Sequence, residues 1–540
     1  MNVLCFRSIV SRGLLAGCLL VGFGLVRAVG ATAGTKPNIV FILADDLGYG
    51  DVKALNPQGR IATPFLDAMA AQGMVFTQAH STAAVCTPSR YGLLTGRYAW
   101  RTRMKQGVLG GFSPPLIEPG RLTVAEFLRR HGYATTIIGK WHLGLEWARR
   151  PDAAGKTAPK VKGAAADPGR EVDFTKPFAR GPLTLGFDEF FGISASLDMP
   201  PYVYLEADRV QSVPTSERTF PWVGVAPAGE QTRLGPAVEG FDVVNVLPDF
   251  TRRAVEVIGR QAAAARSGKP FFLYLPLAAP HTPLAPAKEW RGKSGLNDYA
   301  DFVMQTDATV GRIMAALEQH GLAQNTLLIF TSDNGCSPEA NLQFLNGHGH
   351  DPNARRRGYK ADIFDGGTRV PFIVRWPARV PRGRSTDALV CLGDFMATCA
   401  ELVGMRLPDT AGEDSVSFLP VLLGKSGIAP RQTLVTHSSN GTFAIRQGKW
   451  KLIAGPDSGG WSFPRPGQNP TTSAPRFQLY NTVTDPAEVN NVMAENPDVV
   501  RRLGAALREI VNQGRSTPGV VQPNATVTRW PQIEILEEFK

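Results

Sequence analysis

The sequence predicts an α/β protein: a large mixed, mainly parallel sheet with helices on both faces, then a smaller C-terminal α+β domain with an antiparallel sheet. Three observations carry this prediction. Residues 38–43, 135–138, 271–275 and 327–331 are apolar, β-branched-rich runs of the kind found in strands buried on both faces. Helical patterns alternate with these runs, and such alternation calls for a parallel sheet covered on both sides. After about residue 429 the pattern changes to a hairpin followed by a helix.

Along the chain, Thr63-Pro64 opens the first helix, with proline at the position where a missing N–H is tolerated. Thr123 and Glu126 have the spacing of a capping box ahead of Phe127 and Leu128. Tyr299, Phe302, Val303, Thr306, Val310, Ile313 and Leu317 keep helical spacing through a long amphipathic helix. The stretch from 149 to 182, rich in Ala, Gly, Pro and Lys, reads as an exposed loop. Residues 443–446 and 450–453, joined through Gln447-Gly448-Lys449, read as an antiparallel hairpin. A helix with Val499, Leu503, Leu507 and Ile510 follows. The division expected is 1–33, an export signal; 34–429, the large domain; and 430–540, the C-terminal α+β domain.

With 43% hydrophobic and 19% charged residues, the 540-residue chain can bury a sizeable core, which excludes a wholly disordered protein. Arg7 and Arg12, an apolar run from 13 to 26 and Ala31-Thr32-Ala33 have the form of a cleavable export signal. The run is shorter than the ~20 residues of a spanning helix, and no later segment is long and apolar enough to cross a bilayer. Leu15-Ala16-Gly17-Cys18 has lipobox form, so lipid anchoring at Cys18 stands as the alternative to a periplasmic or extracellular soluble form. Cleavage removes Arg7, Arg12 and Arg27 and takes the formal charge from +11 to +8, which favours an anionic partner. Nucleic acid is not supported: there is no recognition-helix signature, zinc spacing or basic stripe interleaved with aromatics. The four cysteines beyond the signal are too few for a disulfide scaffold, and Cys391 and Cys399, eight apart on an expected helix, do not pair.

The functional signal is positional. Asp45-Asp46 follow the first apolar run, Lys140 and His142 the second, His281 the third and Asp333-Asn334 the fourth. Ligand sites of open α/β sheets lie outside the carboxyl ends of parallel strands, so these four clusters can meet in one crevice. Carboxylates and an amide oxygen suit a hard divalent cation, whereas Lys, Arg and His suit an anion. Each cluster alone has an ordinary reading: Asp333-Asn334-Gly335 as a turn, Lys140 as a surface lysine, His142 as a core histidine. Their joint occurrence argues for a site.

Cys86-Thr87-Pro88-Ser89-Arg90, continued by Leu94-Thr95-Gly96-Arg97, resembles the C-x-P-S-R-x-x-x-L-T-G-R signature of the type I sulfatases, with every defining position present. In that family the Cys is oxidised to Cα-formylglycine. Supporting motifs appear in order: Asp45-Asp46, Gly139-Lys140-Trp141-His142, His281-Thr282-Pro283, Asp333-Asn334-Gly335, Gly358-Tyr359-Lys360 and Gly366-Gly367-Thr368-Arg369-Val370-Pro371. The resemblance extends from about residue 38 to Leu479-Tyr480-Asn481 and Asp485-Pro486. Asp365 departs from the Glu that relatives often place before the Gly-Gly pair, a change expected to bear on loop packing.

The resemblance implies an alkaline-phosphatase-like fold and an exported sulfuric ester hydrolase, acting on an aryl sulfate or, by preference, a sulfated carbohydrate. It implies a formylglycine-generating maturation enzyme as a partner, and one Ca²⁺ held by Asp45, Asp46, Asp333, Asn334 and modified Cys86. Arg90 and Lys140 would orient the hydrated aldehyde, Lys360 and His281 would contact sulfate, and His142 would act as base. The division of acid and base roles between His142 and His281 stays open at this point. Asp198-Met199-Pro200-Pro201-Tyr202, His348-Gly349-His350 and Arg355-Arg356-Arg357 stand as features that select the substrate or only shape loops. Competing functions are a phosphodiesterase or phosphonate monoester hydrolase of the same superfamily, and a catalytically silent binder of sulfated glycans with Cys86 unmodified.

Overall fold

The computed structural model describes residues 36–151, 168–223, 230–425, 431–468, 475–525 and 530–539. The export signal, the Cys18 lipid site, the centre of the 149–182 loop and the 429/430 boundary lie outside these residues.

The chain forms strands β1 (Asn38–Ala44), β2 (Met74–His80), β3 (Ala134–Lys140), β4 (Glu189–Ile193), β5 (Leu205–Glu206), β6 (Arg209–Val210), β7 (Ser216–Arg218), β8 (Gly235–Ala237), β9 (Phe271–Pro276), β10 (Thr326–Ser332), β11 (Phe372–Arg375) and β12 (Arg384–Cys391). Ten of them make one sheet in the order β12-β2-β11-β10-β1-β9-β3-β4-β5-β6. Each apolar run identified in the sequence lies within one of its four adjacent central strands, β10, β1, β9 and β3, which pair in parallel. Only β11 interrupts the parallel order on the β10 side, pairing antiparallel with both β10 and β2.

Alternate residues of β1 feed two separate cores. Ile39, Phe41 and Leu43 pack with residues of α2 (Cys86–Thr95) and α3 (Val124–Arg130). Val40, Ile42 and Ala44 pack with α1 (Pro64–Ala71), α4 (Val243–Arg266) and α5 (Asp298–Gln319). A strand sandwiched this way reads as continuously apolar, which is why these four runs stand out in the sequence. Among the described residues no helix is long and apolar enough to cross a membrane.

Two local expectations change. Thr123 does cap α3, with Oγ1 accepting from Glu126 N, but the capping box is only half formed: Glu126 turns outward and its carboxylate accepts from Arg129 and Arg130. Two guanidinium partners offer it more than one backbone N–H. Cys391 is not helical. It ends β12, and the helix carrying Cys399, Phe395–Leu402, begins after a short 3-10 turn. Cys86, Cys336, Cys391 and Cys399 are all free thiols.

The C-terminal strands β13 (Thr433–His437), β14 (Phe443–Gln447), β15 (Trp450–Ile453) and β16 (Gln478–Asn481) form an antiparallel sheet, including the expected hairpin. The helix Pro497–Gln513 covers it through Val500, Leu503, Leu507 and Val511, and Tyr98 and Trp100 from the large domain enter the same core. A second anchor is ionic. Asp365, fully enclosed, accepts from Arg446 (2.6 Å) and Lys451 (2.9 Å), and Lys451 also reaches Glu488 (2.7 Å). Burial alone would raise the Asp365 carboxyl, but Arg446 and Lys451 hold it well below the usual range. Asp365→Ala should therefore cost ~3–5 kcal/mol in denaturant unfolding, because it strands buried cations. A loss under ~1 kcal/mol, the level of an exposed pair, would remove this anchor from the account.

Candidate active site

The site stands at the carboxyl ends of the central strands. Asp45 and Asp46 leave β1, Asp333 and Asn334 leave β10, Lys140 is the last residue of β3, and His281 lies in the loop after β9. Cys86 opens α2, so the positive end of that helix lies at residue 86. Arg90 is one turn further along the same helix, and the whole helix is buried. Lys360 arrives from a distant loop that docks backbone to backbone: its N–H donates to Cys336 O (2.9 Å), and Gly335 N donates to Gly367 O (3.0 Å). A Cβ on Gly335 would lie 1.8 Å from Gly366 O, so only glycine permits this approach.

Cations and carboxylates alternate through the site. Lys140 Nζ donates to Asp45 Oδ2 (2.6 Å), and Lys360 Nζ to Asp46 Oδ2 (2.6 Å). Arg90 places Nε and Nη2 on Asp333 Oδ2 (2.9 and 2.7 Å) and Nη1 on Lys140 O (3.0 Å). Three carboxylates thus face three cations, so a bound divalent ion would leave the site positive and suited to an anion.

The donor set fits such an ion. Ligand atoms of Asp45, Asp46, Cys86 and His281 lie within 4.8 Å of one another. Asp45 Oδ1 and Asn334 Oδ1 are buried acceptors with no hydrogen-bond partner among the described residues, and the nearest Arg90 nitrogen to Asp45 Oδ1 is 3.7 Å away. Orphaned buried oxygens are costly unless something cationic meets them. Burial and the neighbouring Asp45 charge push the Asp333 carboxyl up to about 7. Burial would raise Asp45 too, but Lys140, His281, Arg90 and Lys360 hold it far below the usual range. Oxygen donors of this number suit Ca²⁺; Zn²⁺ would favour His281 and Cys86 instead.

Cys86 is 2% exposed, and burial pushes its thiol up to about 12 despite Lys140 and Lys360. As a plain cysteine it is a poor nucleophile, since the thiolate is the reactive form.

The two histidines have defined tautomers. His142 Nε2 meets Leu109 O (2.7 Å) and must carry the proton, so the lone pair is on Nδ1, which is buried with no hydrogen-bond partner among the described residues. Burial, Lys140 and Arg90 hold His142 well below its ordinary pKa, so the ring is neutral. His281 Nδ1 donates to Thr282 O (2.6 Å), which leaves Nε2 facing Asp46 Oδ2 at 3.7 Å. Asp46 (φ 66°) and His142 (φ 57°) both take left-handed backbone conformations, a strain that persists where surrounding structure over-determines it.

Tyr299, Asp51 and His350 support these groups, a role the sequence does not assign to them. Tyr299 OH donates to Asp46 O and to the Asp51 carboxylate, and His350 Nε2 donates to Asp51 Oδ1 (2.8 Å). Arg60 N donates to His350 Nδ1, so both ring nitrogens of this histidine are held in place. The His348-Gly349-His350 pair therefore makes no metal site: His348 stacks on Phe344 at the surface instead. Arg356 lies over the Tyr49 ring and Arg357 over Phe364, so two of the three arginines serve packing and only Arg355 is exposed. Asp198 pairs with Arg233 (2.6 Å), and its Oδ1 has no hydrogen-bond partner among the described residues.

A sequence model of the family described as Sulfatase matches residues 37–405, well over half of the chain. The chain belongs to the sulfatase family. An N-acetylgalactosamine-6-O-sulfatase of Bacteroides thetaiotaomicron is 35% identical over 503 residues, covering 88% of this chain and 93% of that one. Arylsulfatase A of Bos taurus is 34% identical over 436 residues, covering 79% and 76%. A solved structure from a study of glycosaminoglycan metabolism by Bacteroides thetaiotaomicron superimposes with TM-score 0.73 at 32% identity, covering 88% of this chain and 99% of that one. The protein is accordingly a sulfuric ester hydrolase with the sulfatase fold.

Proposed function

We propose that this sulfatase acts after export on a sulfated carbohydrate, with residue 86 carried as Cα-formylglycine and one Ca²⁺ held by Asp45, Asp46, Asp333, Asn334 and residue 86. The observation that carries the reading is the place of Cys86: it opens the buried helix α2, and its side chain meets Asp45, Asp46 and His281 within 4.8 Å, where an oxidised, oxygen-bearing side chain could join the carboxylates around a cation. A maturation enzyme would install that group, and residues 1–33 would direct export. Similarity to an N-acetylgalactosamine-6-O-sulfatase makes a 6-O-sulfated N-acetylgalactosamine the first substrate to try.

One hydroxyl of the hydrated aldehyde gives up its proton and attacks sulfur as the bond from sulfur to the substrate oxygen breaks. Deprotonation of the second hydroxyl then breaks the carbon–oxygen bond to the bound sulfate, releasing sulfate and restoring the aldehyde. Bound Ca²⁺ supplies Lewis-acid polarisation of the oxygens around it. Arg90 and Lys140 offset charge at residue 86 and orient Asp333 and Asp45. Lys360 offers its ammonium to the sulfate oxygens. His142 Nδ1, with Nε2–H tied to Leu109 O, is set to take the proton of the second hydroxyl. His281 Nε2 is the nitrogen free to face substrate; the incoming anion raises its proton affinity, and it gives that proton to the departing alkoxide.

Turnover of an aryl sulfate beside an aryl phosphate diester tests the reading. We expect the sulfate to be preferred by ~10²-fold or more in kcat/KM, a difference of about 2.7 kcal/mol in transition-state stabilisation. Equal rates, or preference for the diester or a phosphonate monoester, would favour the phosphoryl-transfer alternative; no turnover with intact anion binding would favour the silent binder.

A further inference from the structure

We propose that Trp461 is a stacking platform for the sugar ring whose sulfate is held at Lys360. The proposal rests on the carbohydrate reading above and names the group that would select it. Among the described residues the exposed Phe and Trp side chains are Phe65, Trp461 and Phe463, at 44%, 40% and 66%. Two of these three lie two residues apart in the connection between β15 and β16, at a turn that adjoins the site. The Trp461 ring centroid is 6.0 Å from Lys360 Nζ, the atom that is itself 2.6 Å from Asp46 Oδ2.

The loop is held in place. Asp362, two residues beyond Lys360, accepts on Oδ1 from Trp461 N (2.7 Å) and Ser462 N (3.0 Å). Arg465 Nε donates to Trp461 O (2.6 Å), and Ser458 Oγ to Ser462 O (2.7 Å). A Cβ on Gly460 would lie 2.4 Å from Ala361 O, so the loop backbone lies directly on the segment that presents Lys360. An aromatic side chain fixed this way loses little freedom on binding.

Trp461 and Phe463, exposed two residues apart beside the site, are more than a singly scattered apolar side chain, and such a pair calls for a reason. Attraction to Lys360 does not supply one: 6.0 Å is the outer limit of a cation–π contact, and the ammonium already has a carboxylate partner. A pyranose does. Its C–H groups are polarised positive by the neighbouring oxygens and form an apolar face that matches the negative face of the indole ring. An ester whose sulfate sits at Lys360 brings its own ring to this distance.

The test uses full-length, formylglycine-bearing protein and its Trp461→Ala and Trp461→Phe variants. We expect KM for a 6-O-sulfated N-acetylgalactosamine substrate to rise about 10-fold in Trp461→Ala and to recover largely in Trp461→Phe. The inhibition constant of inorganic sulfate, which reports on the sulfate pocket alone, should not move. A wild-type enzyme that cleaves the sulfated sugar, with KM unchanged in Trp461→Ala, overturns the platform alone. A KM rise matched by an equal weakening of inorganic sulfate also overturns it, because the loop would then act by supporting Lys360. A wild-type enzyme that cleaves aryl sulfate and no sulfated sugar overturns the carbohydrate reading and the platform with it.

Discussion

Cys86→Ala lowers kcat/KM for every sulfate ester by roughly 10⁴-fold or more, the scale of loss when a covalent hydrolase is deprived of its nucleophile. The side chain removed is small and buried at the start of α2, so the fold should persist. The same low activity is expected of wild-type protein made without a maturation enzyme, because an unmodified Cys86 keeps its proton at neutral pH. Circular dichroism and thermal unfolding of the three forms separate loss of chemistry from loss of fold. Retention of a tenth of the activity by either inactive form would contradict the role given to residue 86.

Asp333→Asn is expected to weaken Ca²⁺ binding by ~10²-fold or more and to remove activity in parallel, since it acts on a residue proposed as a direct ligand, where even supporting groups cost ~10–10²-fold. The Asn variant is chosen over Ala because Arg90 places two N–H groups on Asp333 Oδ2, and a buried guanidinium without an acceptor would cost ~3–5 kcal/mol by itself. Asn retains one oxygen for Arg90 and loses the charge. Titration calorimetry reads the metal affinity directly, and the rise in Tm on adding Ca²⁺ should shrink in the variant. Activity that survives both chelation and this substitution would overturn the metal assignment.

Much of this candidate site is legible in the sequence because its polar residues lie next to the strongest local signals. Strands β1, β3, β9 and β10 are apolar on both faces, and the polar residues at their ends stand out against them. Strand β2 is part-buried at three of its seven positions and β12 is exposed or part-buried at six of its eight, so their patterns are weak, and the helix expected at Cys391 is in fact the end of β12. The supporting contacts are invisible for a different reason. Leu109 O on His142, Tyr299 on Asp46 and His350 on Asp51 join residues 33 to 299 positions apart, and no periodicity encodes such pairs. Arg356 and Arg357 look like a charged surface patch in sequence, yet Tyr49 and Phe364 take their guanidinium faces.

The account depends most on the chemistry of residue 86. Peptide mass spectrometry of the segment spanning Cys86-Thr87-Pro88-Ser89-Arg90, from protein isolated from its native host, tests it most directly. The expected result is the aldehyde or its hydrate in place of the CH₂–SH group in most of the material. An intact thiol throughout, in protein that hydrolyses sulfate esters, would contradict it.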